Sequence, residues 1–146
     1  MRVFSAMDIS ASGMTAQRTR LDVISQNIAN VNTTRDADGN PYMRKSVIFQ
    51  EKVYVSFDEA LINATGHVGK GVKISNIFED RSTEGRLVYD PSHPDADEKG
   101  YVMYPNVSTV TEMTDMIDAS RSYEANVTAF NAAKNMQLKA LEIGKA

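Results

Sequence analysis

A chain of 146 residues, 42% hydrophobic and 24% charged, suffices for one domain with appendages and is too short for two ordinary enzyme domains. Lys and Arg number 16 against 19 Asp and Glu, so the net charge is −3 and no basic excess exists to neutralise the phosphates of a nucleic acid. The absence of cysteine excludes a disulfide scaffold, a thiolate metal site and a Cys nucleophile, and leaves His67 and His93 as the imidazoles.

No stretch of 18 apolar residues occurs, and the N-terminal residues Met1 to Asp8 lack the apolar core of a cleaved leader, so any export is expected to proceed without one. All four prolines and six of the eight glycines lie between positions 39 and 105. Eight of the 11 aromatics share that zone, while six of the eight methionines lie in the two ends. This segregation predicts an α+β chain with three parts: an N-terminal helix within residues 1–34, a central β-rich domain over 35–108, and a C-terminal helix within 109–146.

In the first part Met7, Met14, Leu21 and Ile28 recur every seven residues, accompanied by Val3, Ser10, Gln17, Ile24 and Val31. The pattern is a heptad seam diluted by Ser10 and Gln17, and it predicts a helix over about residues 5 to 31. Ser5 with Asp8 offers a start, and Asn30, Asn32 and Thr33 an end. In the centre, alternation at Val47 and Phe49, at Val53, Val55 and Phe57, and at Val72, Ile74 and Phe78 predicts strands. Asp36 to Pro41 and Asp90 to Asp95 read as turns, because Asp and Asn bond their own backbone and Pro fixes φ.

The last part repeats the heptad grammar, with Met113, Ser120, Val127, Lys134 and Leu141 on one track and Met116, Tyr123, Phe130 and Gln137 on the other; Ile117 and Leu138 widen the stripe. Thr109 with Glu112 has the spacing of a capping box. Early acids (Glu112, Asp115, Asp118) and late lysines (Lys134, Lys139, Lys145) match the helix macrodipole. At about 1.5 Å per residue a helix of roughly 35 residues reaches about 50 Å, more than a compact chain of this size covers from its centre. The two helices are expected to pack as a coiled coil, with each other or with helices of other chains; the pattern leaves both open.

Motifs for chemistry are incomplete. Gly66 and Gly71 have the spacing of a phosphate-binding loop, but Val72-Lys73 follows where Lys and Ser or Thr are needed. Asp95 to Gly100 begins like a calcium loop, yet Lys99 and Asn106 occupy ligand positions. His93 lies among Asp90, Asp95 and Asp97 in a Pro-rich turn without a nucleophile, which favours polar groups serving their own backbone over a metal or general-base site. The triplet Asn27, Asn30 and Asn32 crowds one helix end; amides there either cap the helix or bond groups of a neighbour.

Ile9 to Arg18, followed by Leu21-Asp22-Val23-Ile24-Ser25-Gln26-Asn27-Ile28-Ala29-Asn30-Val31-Asn32-Thr33, closely resembles the N-terminal signature of bacterial flagellar axial proteins of the rod and hook. Glu112-Met113 and Met116 to Asn126 resemble the matching C-terminal signature. Asn32-Thr33-Thr34-Arg35 leading to Gly39-Asn40-Pro41-Tyr42, Asp90 to Asp97, and Gly100 to Val107 are most similar to the proximal-rod class. The short Thr-Pro-Gly-Tyr turn usual in other members is not present.

The resemblance implies a non-enzymatic structural subunit of the basal-body rod, the tubular shaft that transmits motor torque and through which flagellar proteins are exported. It implies a rod in the periplasm, export without a cleaved leader, and terminal helices lining the tube with the β domain outside. Implied partners are other copies of the chain, other rod proteins, and the inner-membrane ring and export apparatus at the rod base; no cofactor, nucleic acid or small-molecule substrate is expected. The subunit interface expected on this basis comprises Met7, Met14, Leu21, Ile24, Asn27, Ile28, Asn30 and Val31 with Met113, Met116, Ile117, Tyr123, Val127 and Phe130. A soluble helical adaptor or export chaperone, and a small hydrolase built on His93, are the competing classes.

Overall fold

The computed structural model describes residues 2–36, 39–53 and 69–144, with side chains from Ser5 onward. Helix α1 spans Arg2–Ala29 and helix α2 spans Thr109–Ile143. Between them lie strands β1 (Lys45–Glu51), β2 (Val72–Glu79), β3 (Arg86–Tyr89) and β4 (Tyr101–Tyr104), paired as two two-stranded sheets, β1–β2 and β3–β4. The expected α+β class, with long terminal helices around a small β-containing centre, is the one observed.

The helix ends differ in detail from their sequence signals. Because α1 starts at Arg2, Ser5 and Asp8 lie inside it and not at its start. At its other end the Asn30 amide side chain donates to Gln26 O (2.8 Å) and the Thr33 N–H to Asn30 O (3.0 Å), so Asn30 closes the last turn as an amide cap. Helix α2 is capped one residue earlier than its sequence suggests. The Glu112 N–H donates to Ser108 O (2.9 Å), closing the first turn, and the Thr111 hydroxyl donates to Ser108 Oγ (3.1 Å). Ser108 is the cap, and the Glu112 carboxylate is thereby released from any capping box.

The buried faces of the helices coincide only in part with the heptad tracks. On α1 the fully buried residues are Ser10, Ala16, Val23, Ile24 and Asn27, whereas Met7, Met14, Leu21 and Ile28 are half-buried. On α2 the buried residues are Glu112, Ala119 and Ala133, spaced by seven or twice seven, with Met116, Tyr123 and Phe130 half-buried beside them and Met113 exposed. Small side chains let the backbones approach; the bulky methionines and leucines are displaced to the flanks.

Sheet β1–β2 is antiparallel. The Asp80 N–H donates to Arg44 O (2.8 Å) at one end and the Lys52 N–H to Gly71 O (2.9 Å) at the other. Seven residues of β1 face eight of β2 between these bonds, the count of a β-bulge on β2. The alternation that predicts β2 holds through Val72 and Ile74 and fails beyond, where Ile77 and Phe78 are both exposed. Of the middle predicted strand only Val53 is described, and it is exposed and outside any strand; Val55 and Phe57 lie outside the described residues. In sheet β3–β4 Leu87 pairs with Met103, Val88 with Val102 and Tyr89 with Tyr101. The sequence reading missed both of these four-residue strands.

The chain divides into two compact units. One comprises Met1–Arg18, Ile48–Asn76 and Ser120–Ala146. Within it, Gly13 leaves the space that the Asn126 amide occupies, since a Cβ there would lie 2.6 Å from Asn126 Oδ1. Ser12 Oγ accepts from the Val72 N–H (3.1 Å) and donates to Ile9 O (2.7 Å), tying β2 to α1. Gly71 at φ 101° brings the backbone against Ser12, a conformation and a closeness that a side chain would forbid. The other unit comprises Thr19–Val47 and Ile77–Ala119, with Val23, Ile24, Val102 and Ala119 as its buried apolar residues.

Candidate subunit interface

A connected set of buried and half-buried polar side chains lies in the second unit. Asn27, on the inner face of α1, is 1% exposed, and Glu112, in the first turns of α2, is 0% exposed. The Asn27 amide donates to Lys45 O (2.8 Å) and to Glu112 Oε2 (2.9 Å), while its Oδ1 accepts from the Tyr42 hydroxyl and the Lys45 N–H (2.9 Å each). All four hydrogen-bonding positions of one amide are thus filled from within the chain. Glu112 Oε1 accepts from Arg44 Nε at 2.6 Å, and Arg44 Nη2 reaches Asp115 Oδ2 (3.2 Å), whose other oxygen receives Arg20 Nη2 (3.3 Å). Burial, together with the Glu112 and Glu79 charges, raises the Tyr42 hydroxyl above its ordinary pKa of 10.0, keeping it a hydrogen-bond donor.

A second amide organises the adjoining backbone. Asn106 Oδ1 accepts from the Arg44 N–H (2.8 Å), and its amide donates to Asp80 O (2.8 Å) and Thr83 O (3.1 Å). Asp80 in turn accepts from the backbone and hydroxyl groups of Ser82 and Thr83, and the two hydroxyls hold its carboxyl well below the usual carboxylate range. These groups fix the segment 42–46 against both helices of this unit, which is what a continuous buried polar network does when every member is satisfied.

The expected interface residues distribute unevenly. In the first unit Met7, Met14, Tyr123, Val127 and Phe130 are half-buried. In the second, Leu21, Ile28, Asn30, Val31 and Met116 are half-buried, Ile24 and Asn27 are buried, and Met113 and Ile117 are 55% and 57% exposed. Further large apolar side chains stand exposed on α2: Val110 in the second unit, and Met136, Leu138 and Leu141 in the first. Asn27 therefore has no hydrogen-bonding capacity left for a neighbour in this arrangement, while Met113 and Ile117 have their surfaces free. The network partners Glu112, Arg44, Tyr42, Asp115 and Arg20 were not anticipated. The available signal was Glu112 itself, a carboxylate seven residues before Ala119 on the track that turns inward.

The turn around His93 serves its own backbone. Asp90 accepts from the Ser92 N–H and hydroxyl, which hold its carboxyl below the ordinary value, and His93 Nδ1 accepts from the Asp95 N–H (3.1 Å). Asp95 pairs with Arg35 (3.0 Å) and with the Thr34 hydroxyl (2.8 Å); Asp97 accepts from the Lys99 and Tyr101 N–H groups (2.8 Å each). Among the described residues no group of three or more His, Asp or Glu is placed to hold a metal ion, and no helix is long and apolar enough to cross a membrane.

Comparison with known proteins places the two helical ends in known families. Residues 7–35 match the family described as "Flagella basal body rod protein", and residues 98–143 match "Flagellar basal body rod FlgEFG protein C-terminal". The chain is 50% identical to the flagellar basal-body rod protein FlgC of Bacillus subtilis, over 99% of this chain and 100% of the relative. It is 46% identical to FlgC of Borreliella burgdorferi (98% of each chain) and 41% identical to FlgC of Escherichia coli O157:H7 (99% of this chain, 100% of the relative). With identity of this degree running the full length of both partners, the chain belongs to the FlgC family of flagellar basal-body rod proteins.

Proposed function

We propose that this chain is a structural, non-catalytic subunit of the proximal rod, which polymerises through its terminal helices into the tubular shaft that transmits motor torque and carries exported flagellar proteins. Family membership supports the rod itself. The observation that carries the finer reading is the set of large apolar side chains exposed on α2, among them Met113, Ile117, Met136 and Leu141. Apolar surface of this kind gains about 25 cal/mol per Å² when a neighbour covers it. A head-to-tail contact repeated in every copy need not close, and so builds a helical tube.

In this reading residues 1–34 and 109–146 form the core of the tube and 35–108 its outer domain. Met7, Met14, Leu21, Ile28, Val31, Met116, Tyr123, Val127 and Phe130, half-buried in one chain, complete their burial against the next. Ile24 and Asn27 act from behind, holding α1 in position, and Asn30 shapes its end. The neighbours are other copies of this chain and other rod proteins, with the inner-membrane ring and export apparatus at the base. The site of assembly is the periplasm, reached through the export channel without a cleaved leader.

The test is Met136→Asp, at a position 61% exposed and outside the polar network. The purified variant is expected to keep its unfolding midpoint, while swimming and the yield of intact basal bodies fall at least tenfold. Normal swimming would remove α2 from the interface.

A further inference from the structure

We infer that the outer face of sheet β3–β4 is a second assembly surface, and that it takes the exposed stripe at the start of α2 on another copy of this chain. The inference rests on the polymerising reading above. Leu87, Tyr89, Tyr101 and Met103 alternate along the two strands and are each at least 40% exposed. The register sets them in two directly opposed pairs, Leu87 with Met103 and Tyr89 with Tyr101, the latter with rings 5.2 Å apart at 64°. The residues between them, Val88 and the fully buried Val102, face the other way and fill the core of the same unit. A sheet with one buried face is ordinary; its solvent face is normally polar, and this one is not.

The α2 stripe is its complement. Val110, Met113 and Ile117, spaced by three and four, project from one side of the helix and are all exposed. They cover about 10 Å of helix, close to the length of a two-residue strand step with its side chains, and a helix on a sheet is a standard packing layer.

Size also selects the occupant. The sheet patch offers about 400 Å², roughly half of what each partner contributes to an ordinary stable interface. It cannot hold a dimer in solution, and it suffices where other contacts already align the copies and every copy repeats it. Two different patches on one chain make a heterologous contact, which propagates instead of closing on itself.

The native chain has no cysteine, which makes a cross-linking test clean. Cells are given two forms of the chain, one with Leu87→Cys and one with Met113→Cys, singly and together, and basal bodies are isolated and oxidised. A disulfide-linked dimer of this chain is expected only when both forms are present. A dimer from Leu87→Cys alone would mean that like faces meet and would overturn the pairing. So would a link to a protein of another mass, or no link in basal bodies that contain both forms. Absence of the chain from basal bodies, seen by immunoblot, would instead overturn the rod reading and this inference with it.

Discussion

At the scale of single residues, Asn27 carries the sharpest consequence. Its amide serves Lys45, Tyr42 and Glu112 at once, so Asn27→Ala strands several part-buried polar groups at about 1–3 kcal/mol each, partly relieved by water. Unfolding in urea should show a loss of at least about 2 kcal/mol, whereas Asn30→Ala, which removes only a terminal cap, should cost about 1 kcal/mol or less. Equal effects of the two would mean that the buried network adds nothing. Asp80 supplies a pH test. Its carboxyl is held below the ordinary value of 3.8, so its contribution is complete above that value and is lost as pH falls through and below it. The acid limb of stability against pH should therefore be shallower in Asp80→Asn. Tyr42 works at the other end of the scale: its raised pKa contributes stability that is present below pH 10.0 and lost above it, and Tyr42→Phe should flatten that alkaline decline.

At the scale of elements, helix propensity and packing compete at Gly13. Alanine there gains about 1 kcal/mol of propensity but places its Cβ against the Asn126 amide, so the single variant should be neutral or destabilised. Added to Asn126→Ala, the same change should stabilise, and thermal unfolding of the four species measures the coupling. The helices also differ along their length in what holds them. Residues 20–29 and 112–119 are tied by the Asn27, Glu112, Arg44 and Asp115 network, whereas 5–18 and 120–143 rest on small side chains and Ser12. Amide exchange in the free chain is expected to be slower in the first pair of segments than in the second; uniform fast exchange in both would show that the network forms only on assembly.

Both helices were legible because heptad spacing runs over four turns or more, and β1–β2 because apolar residues alternate at Val47 and Phe49 and at Val72 and Ile74. Strands β3 and β4 escaped because four residues are too few to show a period. The inner faces of the helices were legible only in part, for a different reason. Hydrophobic spacing marks every apolar face of a helix, including those that serve other copies, and says nothing about which one turns inward in the single chain. Beside Val23 and Ile24, small and polar residues take that position: Ala16, Ala119, Ala133, Asn27 and Glu112. A buried carboxylate is stable only with its partners in place, and those partners, Arg44 and Tyr42, come from a connecting segment that no periodicity describes.

At the scale of the whole molecule, the proposed assembly draws on the apolar residues that the single chain leaves uncovered. Met7, Met14, Leu21 and Ile28 remain half-buried on α1, and Met113, Ile117, Met136 and Leu141 remain exposed on α2. Phe130→Asp tests the α2 side from within the half-buried track. A carboxylate there must be desolvated without a partner at every repeated interface, costing several kcal/mol per copy, so swimming should be abolished while the β3–β4 sheet of the other unit keeps its near-ultraviolet tyrosine signal. The proposal that terminal helices build the tube, with the β-containing centre facing outward, is tested by a cryo-electron microscopy map of isolated basal bodies containing this chain. Residues 1–34 and 109–146 are expected around the channel, with 35–108 at larger radius; strands β3 and β4 lining the channel, or no copy of this chain in the rod, would overturn the proposal.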